Sequence, residues 1–488
     1  MLLLLLILVP ALLGAVAFFV ESVRADLALL LAAAALHLGG TVALWAGVPG
    51  QTLGAALATD AIGRLFLTLT SVLFFVASVY TVPYVLGRTH DAQSAPHRFV
   101  PTLLWFLSSM TLVAVTHHLA LQWAAVEATT LASAPLIYFY RRKGALEATW
   151  KYLLICSVGI ALALLGVFFL GIAASAVPGE APAMTLEALS AVAPHMARPW
   201  LQAAFVLAIV GYGTKMGLAP MHTWLPDTHS QAPSPVSALL SGALLNCAFL
   251  AILRFYQVCV ASGDAEFART LLLTLGFVSI GVACAFMVRQ RDYKRLFAYS
   301  SIENMGILAV GVGLGGAASY GAMLHAVNHS LCKAGLFFAA GNVLRAYGTT
   351  TAGEVRGVLR RLPITGSLLA ALFLAIGGTP PFGPFLSELA IFQTAMNGPR
   401  PWLGVLFIVL LAVAFLGMAG VLLPMLQPGD VALRAPGAPA APADTGRRDD
   451  RLSLAAPLAM AVAVLLLGLW IPPFLAEALR LAARAIGG

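Results

Sequence analysis

A chain of 488 residues, 60% hydrophobic and only 10% charged, with a mean hydropathy of +0.92, excludes a soluble globular protein. The formal net charge of +8 does not call for nucleic acid, because Lys and Arg gather in alternate connections between apolar runs, which is a topological pattern. The five cysteines, Cys156, Cys247, Cys259, Cys284 and Cys332, show no CxxC spacing, so neither an iron–sulfur cluster nor a disulfide framework is supported, and no cofactor is expected.

In chain order, the apolar runs give about fourteen helices, centred on 2–20, 26–47, 60–87, 101–116, 118–140, 151–173, 200–219, 233–258, 268–288, 295–314, 318–344, 365–397, 402–426 and 452–475. The expected fold is therefore an all-α polytopic membrane protein. Helices are the spanning element because each backbone N–H must find its partner inside its own segment in hydrocarbon, and the short alternation of a membrane barrel is absent. Met1 to Val20 lacks a basic n-region and a small-residue cleavage site ahead of Glu21, so it reads as a retained helix rather than a signal peptide. Odd-numbered connections hold most of the basic residues, including Arg141, Arg142, Lys143, Arg289, Arg291, Lys294, Arg295, Arg360 and Arg361, whereas even-numbered ones hold Arg198, Arg269, Arg400, Arg480 and Arg484. That bias favours both termini outside. The stretch 427–451 is rich in Ala and Pro and charged at its end, so it reads as a disordered cytoplasmic loop ahead of a last helical segment, 452–488.

Two helices read as broken. One runs through GYGTKMGLAPMHTWLPD (211–227), where Pro220 and Pro226 remove backbone donors; the other runs through AIGGTPPFGPFLSE (375–388). Gly/Pro interruptions at corresponding places in two halves point to an inverted-repeat transporter and its ion site. A proline kink of purely architectural use is the alternative, and it is disfavoured by Lys215 just before one break and Glu388 just after the other.

Glu127, Lys215, Lys333 and Glu388 stand alone inside apolar segments. A charge at mid-bilayer costs about 2.5–3.5 kcal/mol even on the lenient insertion scale, so such residues usually face a protein interior or a water-filled path and handle ions. A lysine desolvated between helices loses its proton more easily, and a nearby carboxylate restores its hold, so Glu127 approaching Lys215 would act as a switch. In HAVNHSLCK, His325, His329 and Lys333 share one helical face, and imidazoles suit a proton relay. Histidines at i and i+4 also suggest a metal, but HAVNH lacks the glutamate of a zinc protease motif and has no obvious third ligand, so no metal is expected.

KMGLAPMHTWLPDTHSQAPSPVSALLSG (215–242), RDYKRLFAYSSIENMG (291–306), HAVNHSLCKAGLFFAAGN (325–342) and GGTPPFGPFLSE (377–388) together resemble the antiporter-like subunits shared by respiratory complex I, multisubunit cation/proton antiporters and membrane-bound hydrogenases. The resemblance covers nearly the whole chain. It implies fourteen helices, with helices 4–8 and 9–13 as inverted five-helix repeats and helices 7 and 12 broken. The corresponding divisions are 1–100, 101–260, 261–426, 427–451 and 452–488. It also implies proton-transfer roles for Glu127 on helix 5, Lys215 on helix 7, Lys333 on helix 11 and Glu388 as the exit residue on helix 12. Two departures matter: the helix 8 position that is lysine or histidine in complex I relatives is Asn246, whose amide cannot titrate, and SIENMG brings Glu303 into helix 10. With APSPVSALLSGALLN, Glu303 makes the chain look closest to the F-type membrane component of hydrogenase-4; it is either an additional carrier or the partner of a structural basic residue.

The remaining polar positions carry weaker readings. His222 and His229 either line the proton intake or serve the fold, Asp227 caps or pins its loop, and Asp60 and Arg64, one turn apart, neutralise each other. Arg254 reads as snorkelling to an interface, and His117 and His118 as solvated. The resemblance implies a proton-translocating subunit of a redox-driven complex in a bacterial or archaeal cytoplasmic membrane. Its partners would be other antiporter-like and small membrane subunits plus soluble hydrogenase or dehydrogenase subunits. A non-redox cation/proton antiporter or inorganic-carbon uptake complex is the alternative.

Overall fold

The computed structural model describes residues 1–47, 56–87, 98–179, 182–428 and 449–488. Among these residues the structure is helical throughout, with only isolated β-bridges such as Leu57 to Thr116 and His118 to Thr185. The chain runs through α1 (Leu2–Ala17), α2 (Val23–Trp45), α3 (Ala61–Leu86), α4 (Phe99–Val115), α5 (Leu119–Ile137), α6 (Lys143–Ser175) and the short α7 (Leu186–Val192). It continues through α8 (Arg198–Met216), α9 (Trp224–Gln231), α10 (Ser234–Leu239), a π turn over Leu240–Leu244, α11 (Leu245–Ala261), α12 (Ala265–Met287), α13 (Tyr293–Leu314) and α14 (Ala317–Tyr347). The last elements are α15 (Val358–Arg361), α16 (Pro363–Ile376), α17 (Gly383–Asn397), α18 (Trp402–Leu426), α19 (Arg451–Leu469) and α20 (Pro473–Arg484).

Each expected helical segment contains helix, and among the described residues eight helical spans are long and apolar enough to cross a membrane. The span formed by α10, the π turn and α11, and the span of α13, are wholly enclosed by protein, and α14 is buried along nearly its whole length. By contrast, α6, α12 and α18 turn Leu154, Phe168, Phe286 and Leu416 outward, the surface that hydrocarbon requires. Polar chemistry is therefore concentrated on the central helices. The expected loop over 427–451 falls largely on residues 429–448, outside the described residues.

Both breaks occur where the glycines and prolines stand. α8 stops at Met216 because Gly217 turns into the left-handed region (φ +86), and the helix resumes only at Trp224. α16 stops at Ile376, Gly378 adopts φ +68, and α17 begins at Gly383. The Ala219–Pro220 and Pro380–Pro381 bonds within the breaks are both cis.

Four local expectations are corrected, one of them Arg254, which does not snorkel to an interface but is buried against Asp60. Asp60 does not neutralise Arg64: it caps α3 by accepting from Gly63 N at 2.8 Å and takes both guanidinium nitrogens of buried Arg254, at 2.6 and 2.7 Å. Arg64 instead lies 5.4 Å from the Trp45 ring centre. Burial alone would raise the Asp60 carboxyl, but Arg254, helped by His117, holds it well below the usual carboxylate range. His117 is buried between two carboxylates rather than solvated, with Nδ1 2.5 Å from Glu187 and Nε2 3.6 Å from Asp60. The last segment is two helices, not one, because Trp470 is extended and Pro472 and Pro473 follow it. In α20, Ala478, Leu479, Ala482 and Ala483 are buried while Glu477, Arg480 and Arg484 face out, the pattern of a helix packed along a surface.

Candidate ion path through the helical bundle

The first polar group is assembled by α5, α6 and α8. Lys215, in the last turn of α8, is fully buried. Its Nζ donates to Thr130 Oγ1 at 2.7 Å and to the Tyr152 hydroxyl at 2.6 Å. Thr130 donates onward to Glu127 Oε2 at 3.1 Å, and Ser157 donates to Glu127 Oε1 at 3.0 Å. Glu127 and Lys215, expected to approach each other, are thus joined through a threonine hydroxyl. Ser133 Oγ, 2.7 Å from the Tyr152 hydroxyl, extends the group along α5. Neutral hydroxyls thus make both Lys215 contacts, and the carboxylate stands one hydrogen bond further away.

The second group lies where α13 and α14 meet the π turn. Lys333 is fully buried and donates to Phe297 O at 3.1 Å. It lies in the electrostatic field of Glu303, also buried on α13, yet no ion pair joins the two. His325 connects three helices: Nε2 lies 3.0 Å from Asn304 Oδ1 on α13, and Nδ1 lies 3.0 Å from Ser387 Oγ on α17. Because Asn304 Nδ2 donates to Ser300 O at 2.7 Å, its oxygen is the acceptor, which places a proton on His325 Nε2. The Ser387 hydroxyl also lies 2.8 Å from Pro384 O. Its single hydrogen points either there or to Nδ1, so its rotation follows the charge of the ring.

His329 Nε2 donates to Ser241 O at 3.4 Å and its Nδ1 has no hydrogen-bond partner. His229, on α9, is fully buried, stacks on Phe337 with ring centres 4.9 Å apart, and has neither ring nitrogen hydrogen-bonded. His222 lies in the first break beside the rings of Phe286 and Tyr299. Asn246 Nδ2 donates to Gly242 O at 2.8 Å and to Ser330 Oγ at 2.7 Å, bracing the π turn against α14. π turns frequently mark functional sites, and this one stands between Lys215 and Lys333 in sequence.

The third group is Glu388 on α17, buried, with its carboxylate folded back against Gly378 in the second break, where any Cβ would overlap it. Asp227 pins its segment as expected: it pairs with Lys151 at 3.1 Å and Arg295 at 3.0 Å, and Lys151 also pairs with Glu147 at 2.7 Å. Among the described residues no three His, Cys, Asp or Glu side chains come together in a metal-binding group.

A further residue, Lys294, is misplaced by sequence reasoning. Lys294, read as a loop charge, is buried in the first turn of α13 and donates to Ala232 O at 2.6 Å and Ser230 O at 3.4 Å. His229 lies in the combined field of Lys294 and Lys333. The available signal was Asp292, which caps α13 through Arg295 N at 2.9 Å and so puts Lys294 inside the helix.

The model of the transmembrane family described as NADH:quinone oxidoreductase/Mrp antiporter matches residues 116–415. The chain is 37% identical over 350 residues to the hydrogenase-4 component F homolog of Methylacidiphilum infernorum, covering 70% of this chain and 73% of that protein. It is 31% identical over 423 residues to the NADH-quinone oxidoreductase subunit N of Desulforudis audaxviator, covering 85% and 81%. Its fold is similar to that of a chain in the Mrp complex from Dietzia sp. (TM-score 0.85, 20% identity, 100% of this chain and 99% of that one). It is similar also to a chain of respiratory complex I from Thermus thermophilus (TM-score 0.77, 24% identity, 96% and 97%). The chain belongs to the NADH:quinone oxidoreductase/Mrp antiporter transmembrane family.

Proposed function

We propose that this chain is the proton-translocating, antiporter-like subunit of a redox-driven membrane complex of the hydrogenase-4, formate hydrogenlyase or complex I kind. The hydrogen-bonded chain Glu127–Thr130–Lys215 carries this reading, because it joins a carboxylate to a buried ammonium through a group that both donates and accepts. Protons enter near His222 and Lys215, pass through His229, His329, His325, Glu303 and Lys333, and leave through Glu388. Moving one charge against 100 mV costs about 2.3 kcal/mol, which we assign to redox chemistry in partner subunits. The relatives named as hydrogenase-4 component F and NADH-quinone oxidoreductase subunit N support that assignment.

The division into 101–260 and 261–426 as inverted repeats is supported by the two breaks, each opened by a glycine at positive φ, at Gly217 and Gly378. We assign the chain to a cytoplasmic membrane, and the bias of Lys and Arg toward odd-numbered connections supports both termini outside. Purifying the intact complex from its native membrane and identifying its soluble subunits tests the assignment. Hydrogenase or dehydrogenase subunits are the expected result. A carbonic-anhydrase-like zinc protein, or antiporter subunits alone, would favour the non-redox reading.

A further inference from the structure

The segment 115–119, between α4 and α5, is laced on both sides by backbone hydrogen bonds. Toward the start of α3, Ala58 N donates to Val115 O and His117 N to Ala56 O, both at 2.9 Å. Toward the start of α7, Leu119 N donates to Met184 O at 2.9 Å and Leu186 N to His117 O at 2.8 Å. The bridges Leu57 to Thr116 and His118 to Thr185 belong to the same lacing. Each flanking segment also brings a carboxylate to the His117 ring: Glu187 Oε1 lies 2.5 Å from Nδ1 and Asp60 Oδ1 lies 3.6 Å from Nε2. The ring is 4% exposed and Glu187 54% exposed, so the joint is buried at its centre and open to water at one carboxylate.

A neutral imidazole has one N–H and one lone pair, so in either tautomer one ring nitrogen turns a lone pair toward a carboxylate; an imidazolium donates from both nitrogens and suits both neighbours. The other charged group facing the joint is Arg254 on α11, which donates to both Asp60 oxygens at 2.6 and 2.7 Å. The adjacent His118 turns its Nδ1 to Leu121 N instead, at 3.3 Å. With the ring protonated, two carboxylates meet two cations where α3, α5, α7 and α11 converge.

We propose that His117 is a pH-operated clasp that fastens the start of α3 to the starts of α5 and α7. Protonated, the ring bridges Asp60 and Glu187 and holds the three segments together. On giving one proton to water it keeps one carboxylate, turns a lone pair to the other, and the lacing loosens. The clasp therefore closes as pH falls and opens as pH rises. Its place on the outward face, the side to which protons are delivered, rests on the topology and path proposed above.

The test is amide hydrogen exchange in the intact complex, corrected for the intrinsic pH dependence of exchange and read over 115–119 and 184–187. Imidazoles change charge between about pH 5 and about pH 8. Across that range, wild-type protection should fall at least about tenfold, the loss expected for a charge-assisted hydrogen bond. In His117→Gln protection should be low throughout and the step should vanish. Wild-type protection that does not change with pH, or the same step in His117→Gln, overturns the clasp. If His117→Gln does not assemble, Glu187→Gln, at a half-exposed position, decides: a reduced step supports the clasp and a full wild-type step overturns it. Repeating the measurement in sealed vesicles, with pH varied on one side at a time, separates the clasp from the topology. A step driven by outward pH supports both, and a step driven only by cytoplasmic pH keeps the clasp and overturns its outward placement.

Discussion

Lys215 and Glu127 are joined through one hydroxyl: Thr130 accepts from the lysine at 2.7 Å and donates to the glutamate at 3.1 Å. The ammonium and the carboxylate therefore share a neutral link and make no direct ion pair.

Thr130→Val keeps shape and removes that link. Charge-assisted hydrogen bonds contribute about 1.5–3 kcal/mol, so we expect proton translocation to fall about tenfold or more with the complex assembled. Thr130→Ser should restore it. Vesicle acidification assays check this, and equal rates for Thr130→Val and wild type would remove Thr130 from the path.

Gly378→Ala should resemble loss of Glu388. The φ of +68 strains an alanine there, and its Cβ would overlap the Glu388 carboxylate. We expect translocation to drop to the level of Glu388→Ala, whereas Gly398→Ala, whose Cβ comes no closer than 3.2 Å to its neighbours, should leave it near wild type.

Asn246→Ala separates bracing from conduction. The amide ties Gly242 O and Ser330 Oγ together, so its loss should cost about 1–2 kcal/mol of stability, read as a lower melting temperature in detergent. Translocation should remain above half of wild type, since an amide is no proton carrier. Loss of translocation at unchanged stability would instead assign the amide to the path.

Asp60 gives the pH dependence. Its folded-state carboxyl is held below the ordinary value near 3.9 by Arg254 despite burial. The stabilisation is therefore complete above about pH 4 and is lost as pH falls toward the folded value. Asp60→Asn should lower the melting temperature at neutral pH, through loss of up to about 3 kcal/mol from a buried pair, and should flatten the acid limb seen in wild type. An acid limb unchanged by the substitution would show that other carboxylates govern it.

The features legible in the sequence are those with contrast. Lys215, Lys333 and Glu388 stand out because each interrupts an apolar run, and the breaks stand out because glycine and proline mark them. Thr130, Tyr152 and Asn304 give no such contrast, since hydroxyls and amides barely change hydropathy and their roles depend on partners far along the chain. Lys294 is hidden by its neighbours Arg291 and Arg295, which look like one loop cluster. The Asp60–Arg254 pair spans 194 positions, so local spacing pointed to Arg64 instead. α20 merged with the preceding apolar run because its amphipathic pattern covers only 12 residues.

The most direct measurement is proton uptake per electron in vesicles carrying the intact complex with Lys215→Met. The account predicts that electron flow continues while uptake assigned to this subunit disappears. Wild-type uptake per electron with Lys215→Met would contradict it.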